Sequence, residues 1–291
     1  MGFVTRRRLE GTICLPMDFR SHLSRPIDLR HRSNVVMLAV VVAIGVAAPV
    51  LWISGRPGSV VLAPVNAFLI WALLREIDPD HQWSAIAGAV IAGVWVLGVP
   101  TPSSAWATTG LVLAARTTTS TTGRRLLPVD LGVLTVFGIA IGFTVEGWAA
   151  GFGIALAIYL DDRFRGENRL PAIGASVITA IGTTVVATLS GAFPETVPEV
   201  IQYVAVLAGI AALALLAREP ALPQSRVDAR HGAFIDRARL HVSRSIVGVL
   251  VFLMTILTGP DATGLLVVVA ALWLAVLSRE ADSLRRDGEG E

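Results

Sequence analysis

The densest group of chemically reactive side chains in the sequence is the run Arg75-Glu76-Ile77-Asp78-Pro79-Asp80-His81. Its three carboxylates and one imidazole could hold a divalent metal ion and, through it, a phosphorylated substrate. The same residues also suit the start of a helix, because Asp78 could cap a helix whose first residue is Pro79. Asp80 would then be favoured by the positive end of the helix dipole. We favour this structural interpretation, so the sequence predicts no metal ion here.

Polar side chains also occur inside the long apolar segments. Asn66 follows Pro64 by two residues, and Pro64 leaves one helix carbonyl without its usual N–H donor. Thr179 and Thr183 are four residues apart and so share one helix face. These side chains could line a solute pathway, but we favour packing, with Asn66 bonded to a neighbouring helix and the hydroxyls bonded to backbone. The candidate polar site residues are Asn66, Asp78, Asp80, His81, Thr179 and Thr183, with no catalytic or cofactor-binding residue among them.

Two further polar stretches are expected to be surface loops. Asp161 and Asp162 precede three arginines within a few residues, which favours a solvated charged loop. The stretch 117–123 is rich in threonine and serine and is expected to be flexible.

The arginine-rich stretch 226–244 could form a helix with two different faces. Arg230, Arg237 and Arg244 recur every seven residues and therefore share a face, while Ile235 and Val242 fall on the opposite side. Basic amphipathic helices of this kind lie on anionic lipid headgroups. We predict such headgroup contacts for the three arginines, with docking of a protein partner as the alternative.

The composition excludes a water-soluble globular protein. Of 291 residues, 54% are hydrophobic and 16% are charged, and the mean hydropathy is +0.67. That leaves too little polar surface to solvate a globule of this size. The formal net charge of +2 gives no reason to expect a nucleic-acid partner. Cys14 is the single cysteine, so an internal disulfide is impossible.

Ten apolar segments are predicted to cross a membrane as helices. They are 35–53, 59–74, 83–99, 103–115, 129–145, 147–160, 171–190, 199–217, 246–258 and 262–278. If all ten cross, every arginine except Arg56 falls on one side, which is the distribution that the positive-inside rule produces. The stretch 129–160 is too long for one span and carries Glu146 at its midpoint, so it is predicted to be two helices joined by a tight turn.

The predicted fold class is all-α: a polytopic transmembrane helix bundle of about ten spans arranged as five hairpins. Both termini are expected in the cytoplasm and the chain in the cell (inner) membrane. The predicted regions are a cytoplasmic arginine-rich segment 1–34, a transmembrane domain 35–278 with a cytoplasmic amphipathic loop 218–245, and a cytoplasmic tail 279–291. Small residues at four-residue spacing, as in Ala85/Ala89/Gly93 and Gly138/Gly142, predict close helix packing.

Three functions fit these features, none of them requiring a cofactor. The first is a carrier for a small or lipid-like solute, since the span number and chain length resemble the drug/metabolite transporters in topology. Those carriers consist of two inverted five-span halves, whereas the short outer turns here favour repeated hairpins. The second is a non-catalytic membrane subunit that docks a membrane-protein partner through its cytoplasmic arginines. The third is an interfacial enzyme acting on a lipid phosphate through Asp78, Asp80 and His81.

Overall fold

The structure is a computed structural model that describes residues 21–23, 27, 29, 31–50, 57–98, 105–192, 200–217, 225, 234–257, 268–270, 272–273 and 276–277. These residues are almost entirely helical and contain no β-strand. The helices are α1 Arg32–Ala47, α2 Pro57–Ile77, α3 Gln82–Gly98, α4 Ala105–Thr119, α5 Pro128–Ala140, α6 Gly147–Arg165, α7 Leu170–Ser190, α8 Val200–Ala217 and α9 Arg237–Leu257. The described residues between 268 and 277 are helical as well.

Three of the described helices are long and apolar enough to cross a membrane. They are Gly58–Ile77 in α2, Leu170–Ser190 in α7 and Arg237–Thr255 in α9, with mean hydropathies of 1.7, 1.8 and 1.4. Shorter apolar helices cover Arg32–Ala47, Gln82–Gly98 and Pro128–Phe143. The all-helical fold class is therefore confirmed, with three helices that could cross a membrane, and the number of ten spans stays a prediction.

The division of 129–160 into two helices is confirmed. Helix α5 is followed by a 3-10 turn at Ile141–Phe143, and α6 begins at Gly147. Thr144 lies between them in extended conformation, and its backbone N–H donates to the carbonyl of Ile141. The tight turn therefore falls where Glu146 interrupts the apolar sequence.

Small residues allow the described helices to approach closely, as their spacing predicts. A Cβ atom added to Gly93 of α3 would lie 2.5 Å from Ile44 of α1. One added to Gly151 of α6 would lie 2.5 Å from the carbonyl oxygen of Gly138 in α5. Because lipid supplies no hydrophobic force between helices, this close packing is the main source of cohesion between spans.

Helix α9 begins earlier than the sequence indicates. It starts at Arg237, inside the predicted cytoplasmic loop 218–245, and runs without a break into the predicted ninth span. Helix α6 likewise continues to Arg165, past the predicted end at 160, and carries Asp161 and Asp162 in its last turns. Both extensions bring charged residues onto helix ends that pack against other helices.

Candidate functional site

Six helix ends meet at one end of the bundle and form a buried layer of charged side chains. Helices α2, α4 and α6 finish there, and α5, α7 and α9 begin there. We call this the charge layer; it consists of Glu76, Asp78, Arg116, Asp130, Asp161, Asp162, Arg165, Arg169, Arg239 and Arg244. Its five carboxylates are each at most 1% exposed, so each must be compensated by charge or hydrogen bonds.

Glu76 joins the end of α2 to the end of α4. Its Oε1 accepts a 2.8 Å hydrogen bond from Nε of Arg116, and its Oε2 accepts one of 2.7 Å from the Thr121 hydroxyl. The hydroxyl of Thr119 lies 3.2 Å from the same Oε2. A fully buried carboxylate is thus neutralised by one guanidinium, and the Thr121 hydroxyl of the same neighbouring segment hydrogen-bonds its second oxygen.

The stretch 117–123 is therefore not the flexible surface loop that its composition suggests. Residues Thr117 to Thr122 are all buried, between 0% and 6% exposed. Most of their hydroxyls bond within the bundle: the Thr118 hydroxyl donates to Ala114 O at 2.9 Å, and the Ser120 hydroxyl accepts from Arg165 at 2.8 Å. The hydroxyl-rich sequence reflects a polar interior rather than solvent exposure.

Asp161 joins α6 to α9. One carboxylate oxygen accepts a 2.7 Å bond from Arg239, and the other lies 3.0 Å from Nε of Arg165 one turn along its own helix. The guanidinium of Arg239 also covers the ring of Phe164 at 5.0 Å. The prediction of a solvated loop at Asp161 and Asp162 is wrong, because the helix α6 continues through both residues and carries them inside.

Asp162 joins the end of α6 to the start of α7. It accepts 2.8 Å and 2.9 Å hydrogen bonds from the backbone N–H and the Nε of Arg169, the residue that precedes α7. Arg169 also donates to the Leu126 carbonyl at 3.3 Å, which connects this junction to the approach to α5. The contact between Asp162 and Arg169 thus stabilises the turn between α6 and α7.

The residues between α2 and α3 do not form the helix start predicted from Asp78-Pro79. Helix α2 continues to Ile77 and α3 begins only at Gln82, so Asp78 lies in the turn between them and does not cap α3. Asp78 Oδ1 lies 3.1 Å from the His81 ring and 3.9 Å from Arg244. Asp80 accepts hydrogen bonds of 2.7 Å and 2.6 Å from the backbone N–H and hydroxyl of Ser225.

Residues 21–23 contact the charge layer. Asp130, in the first turn of α5, accepts hydrogen bonds from the Ser21 hydroxyl and, at 3.1 Å, from the backbone N–H of His22. The His22 ring is fully buried, and its Nδ1 donates to the Arg124 carbonyl at 2.7 Å. Arg116 donates to the Leu23 carbonyl at 2.9 Å. Residues 21–23 therefore lie across the ends of α4 and α5.

Burial lowers the pKa of His22. Nδ1 is held as a donor by the Arg124 carbonyl, and Nε2 has no hydrogen-bond partner among the described residues. Protonation would place a charged N–H in that position without an acceptor. Asp161 and Asp130 raise the pKa and Arg165 lowers it, but desolvation has the largest effect. His22 is therefore neutral at pH 7.

The polar residues predicted inside the spans are used for packing. Thr179 and Thr183 are fully buried, and their hydroxyls donate to the carbonyls of Ala175 and Thr179, each at 2.7 Å. Thr183 also lies 2.9 Å from the Gly138 carbonyl of α5. Asn66 donates to Leu62 O in its own helix at 2.9 Å, rather than to a neighbouring helix as predicted. These three residues are not brought together with Asp78, Asp80 and His81 by any described hydrogen bond.

The three arginines predicted to contact headgroups do not share one exposed face. Arg230 lies outside the described residues. Arg237 is exposed and donates to His241 at 3.1 Å. Arg244 is only 2% exposed, because its Nε donates to the Ile77 carbonyl at 2.8 Å where α9 packs against the end of α2. Arg244 belongs to the charge layer and not to a membrane-surface helix.

A polar cleft of about 380 Å³ opens beside the charge layer. Its walls include Arg125, Phe164, Arg165, Glu167, Asp236 and Arg239. The described residues contain no group of three or more His, Cys, Asp or Glu side chains suited to a metal ion. The layer can therefore hold helix ends together and accept a small polar ligand at its edge. Glu76, Asp161 and Asp162 are paired with guanidinium groups, whereas Asp130 accepts from the Ser21 hydroxyl and from backbone N–H groups.

Sequence reasoning missed the central residues of this layer, namely Glu76, Arg116, Asp130, Asp161 and Arg239. The signal that was available is their position at the ends of apolar segments that the arginine distribution puts on one side. Comparison with models of protein families, with curated proteins and with solved structures found no match to this chain.

Proposed function

We propose that the chain is a ten-span protein of the cell (inner) membrane, with cytoplasmic termini, that acts as a non-enzymatic carrier for a small or lipid-like solute. In this proposal the charge layer is the cytoplasmic closure of the solute path. Its partners are the bilayer, with anionic headgroups at the exposed arginines.

The observation that carries the proposal is the set of buried contacts between charges on different helices, Glu76 with Arg116 and Asp161 with Arg239. Burying such pairs costs more desolvation than apolar packing of similar size, so they are a poor way merely to hold helices together. Water that enters the layer can solvate both partners, which makes the contacts suitable for a closure that opens and shuts.

The test is thiol labelling, which is simple in this chain because Cys14 is the single cysteine and can be replaced. In a Cys14→Ser background, Val247→Cys places a thiol at a fully buried position one helical turn beyond Ser243 of α9. For a carrier, a membrane-impermeant thiol reagent added to inside-out vesicles labels this position slowly as the closure opens. Asp161→Asn should raise the labelling rate, because Arg165 and Arg239 are then left without their shared carboxylate.

The matched control is Asp236→Asn at the same end of the bundle. Asp236 is exposed and bonds the backbone N–H of Ala238 at 2.9 Å, a capping role that asparagine also fills. Its labelling rate should equal that of the parent. Complete protection of Val247→Cys in the parent, over hours and in folded protein, would contradict the carrier.

A non-catalytic membrane subunit is the second candidate. It is favoured by α7, where the described hydroxyls of Thr179, Thr183, Thr184 and Thr188 all bond to backbone of their own helix. A polar path along that helix would need them turned toward water. Complete protection in the thiol experiment, together with co-purification of a membrane partner, is the result expected for a subunit.

A further inference from the structure

A second cleft, of about 210 Å³, lies between α2 and α4 and borders the charge layer at Glu76 and Arg116. We call it the α2–α4 cleft. Its apolar walls include Phe68, Leu69 and Val112, and its polar walls include Trp71, Arg75 and Arg116. Phe68, Trp71 and Arg75 are neither among the predicted candidate polar site residues nor part of the proposed closure.

The walls change from apolar to cationic along the helix direction. Phe68 and Trp71 are in ring contact at 5.5 Å, and the Arg75 guanidinium lies 5.1 Å from the Trp71 ring, so these residues follow one another along the face of α2. On α4, Val112 precedes Arg116 by one turn. Both helices approach the charge layer in the same direction, because Glu76 and Arg116 meet at their ends.

The donors in the cleft match an anionic oxygen-bearing group. The described walls carry two guanidinium groups and one carboxylate. Arg116 is paired with Glu76, and Arg75 donates from one guanidinium nitrogen to Asn34 at 2.8 Å, so the walls keep a net positive charge. Trp71 is 5% exposed, yet its indole N–H has no acceptor within the part of the chain that the structure describes. A buried indole N–H usually finds a partner.

We propose that the α2–α4 cleft binds one anionic phospholipid of the cytoplasmic leaflet. Its acyl chain lies along Phe68, Leu69 and Val112, and its phosphate faces Arg75 and Arg116 and accepts from Trp71. This inference rests on the membrane placement in the proposed function, and it does not require that the protein transport anything.

The test is lipid binding by the full-length chain purified in neutral detergent, followed by native mass spectrometry and by thermal unfolding. Short-chain phosphatidylglycerol should bind one molecule per chain and raise the unfolding temperature, whereas phosphatidylcholine should bind weakly. Arg75→Gln should weaken phosphatidylglycerol binding roughly fivefold, since one arginine near an anionic surface contributes about that factor. Trp71→Phe should weaken it as well while keeping the aromatic packing.

The matched controls are Arg163→Gln and Trp106→Phe, which change an exposed arginine and an exposed tryptophan away from the cleft. They should leave phosphatidylglycerol binding unchanged. Equal weakening by Arg163→Gln, equal binding of phosphatidylcholine, or equal stabilisation by inorganic phosphate alone would each overturn the proposal. The assay is independent of solute movement, so its failure is distinguishable from failure of the carrier.

Discussion

His22 is the side chain whose ionisation is affected most clearly by burial among the described residues. It lies in the N-terminal segment, outside the apolar helices, and yet it is fully buried against the Arg124 carbonyl and Thr122. A neutral imidazole satisfies this environment with one donor, whereas an imidazolium does not. The folded protein therefore resists protonation of this residue more strongly than the unfolded chain does.

His22 gives a predicted dependence of stability on pH. Because its folded pKa lies below the unfolded value of about 6.5, the unfolded chain binds the proton first as pH falls. The contribution of His22 to stability is thus complete well above pH 6.5 and decreases below it. His22→Gln should remove that decrease, measured as the difference in detergent unfolding temperature between parent and variant at pH 7.5 and pH 5.5.

The difference between parent and variant isolates His22 from the other titrating groups. His81→Gln is the comparison, since His81 is partly exposed beside Asp78. Identical pH profiles for the parent and His22→Gln would show that the His22 ring is accessible to water.

At the scale of elements, the packing of α5, α6 and α7 depends on glycines that face backbone or hydroxyl groups. Gly151 of α6 lies against the Gly138 carbonyl of α5 and against the Thr183 hydroxyl of α7, at 2.5 Å and 2.8 Å from an added Cβ. Neither a carbonyl nor a buried threonine on a packed helix can move aside without shifting the helix itself. An added methyl group at this three-helix contact is therefore expected to destabilise the packing.

Gly151→Ala should destabilise the protein by about 1–3 kcal/mol, the usual cost of overpacking a filled interior. Gly174→Ala on α7 is the matched control, because an added Cβ there meets nothing within 4 Å. The control should be neutral or slightly more stable, since alanine favours the helix. Unfolding in detergent measures both, and equal stability of the two variants would contradict the packing described here.

The elements themselves were predictable from the sequence to a large extent. Apolar run length and the one-sided arginines located helices α1 to α8, including the break near Glu146. The start of α9 was missed because Arg239 and Arg244 make its first turns too polar for a span when read alone. Their partners, Asp161 and the Ile77 carbonyl, are distant in sequence, so no local pattern indicates that these arginines are buried.

The sequence predicts where the candidate site lies, but it does not predict which charged side chains pair with one another there. Topology places the ends of α2, α4 and α6 together with the starts of α5, α7 and α9, which is where the charge layer lies. Which carboxylate meets which guanidinium depends on helix rotation and tilt, and these follow from packing rather than from span length. The sequence therefore predicts Glu76 only as part of the polar run 75–81 and gives no sign of its partner Arg116, which lies 2.8 Å away.

At the scale of the whole molecule, the predicted topology assigns each helix end to one membrane face. In a Cys14→Ser background, Arg125→Cys should react with an impermeant thiol reagent only in inside-out vesicles, because Arg125 is 65% exposed beside the charge layer. Ser190→Cys, exposed at the opposite end of α7, should react only in intact cells. Labelling of both positions from the same side would overturn the ten-span topology.

The long sequence separations within the charge layer also constrain biosynthesis. In the proposed membrane topology, Glu76 is synthesised well before Arg116 and His22 long before Asp130. We therefore expect early carboxylates and amides to stay hydrated at the membrane surface until later helices insert. Asp161 first meets Arg165 on its own helix and gains Arg239 only when α9 is made. The order of translation thus sets the order in which these charges can be paired, and a nascent chain stopped before α9 lacks the Arg239 partner of Asp161.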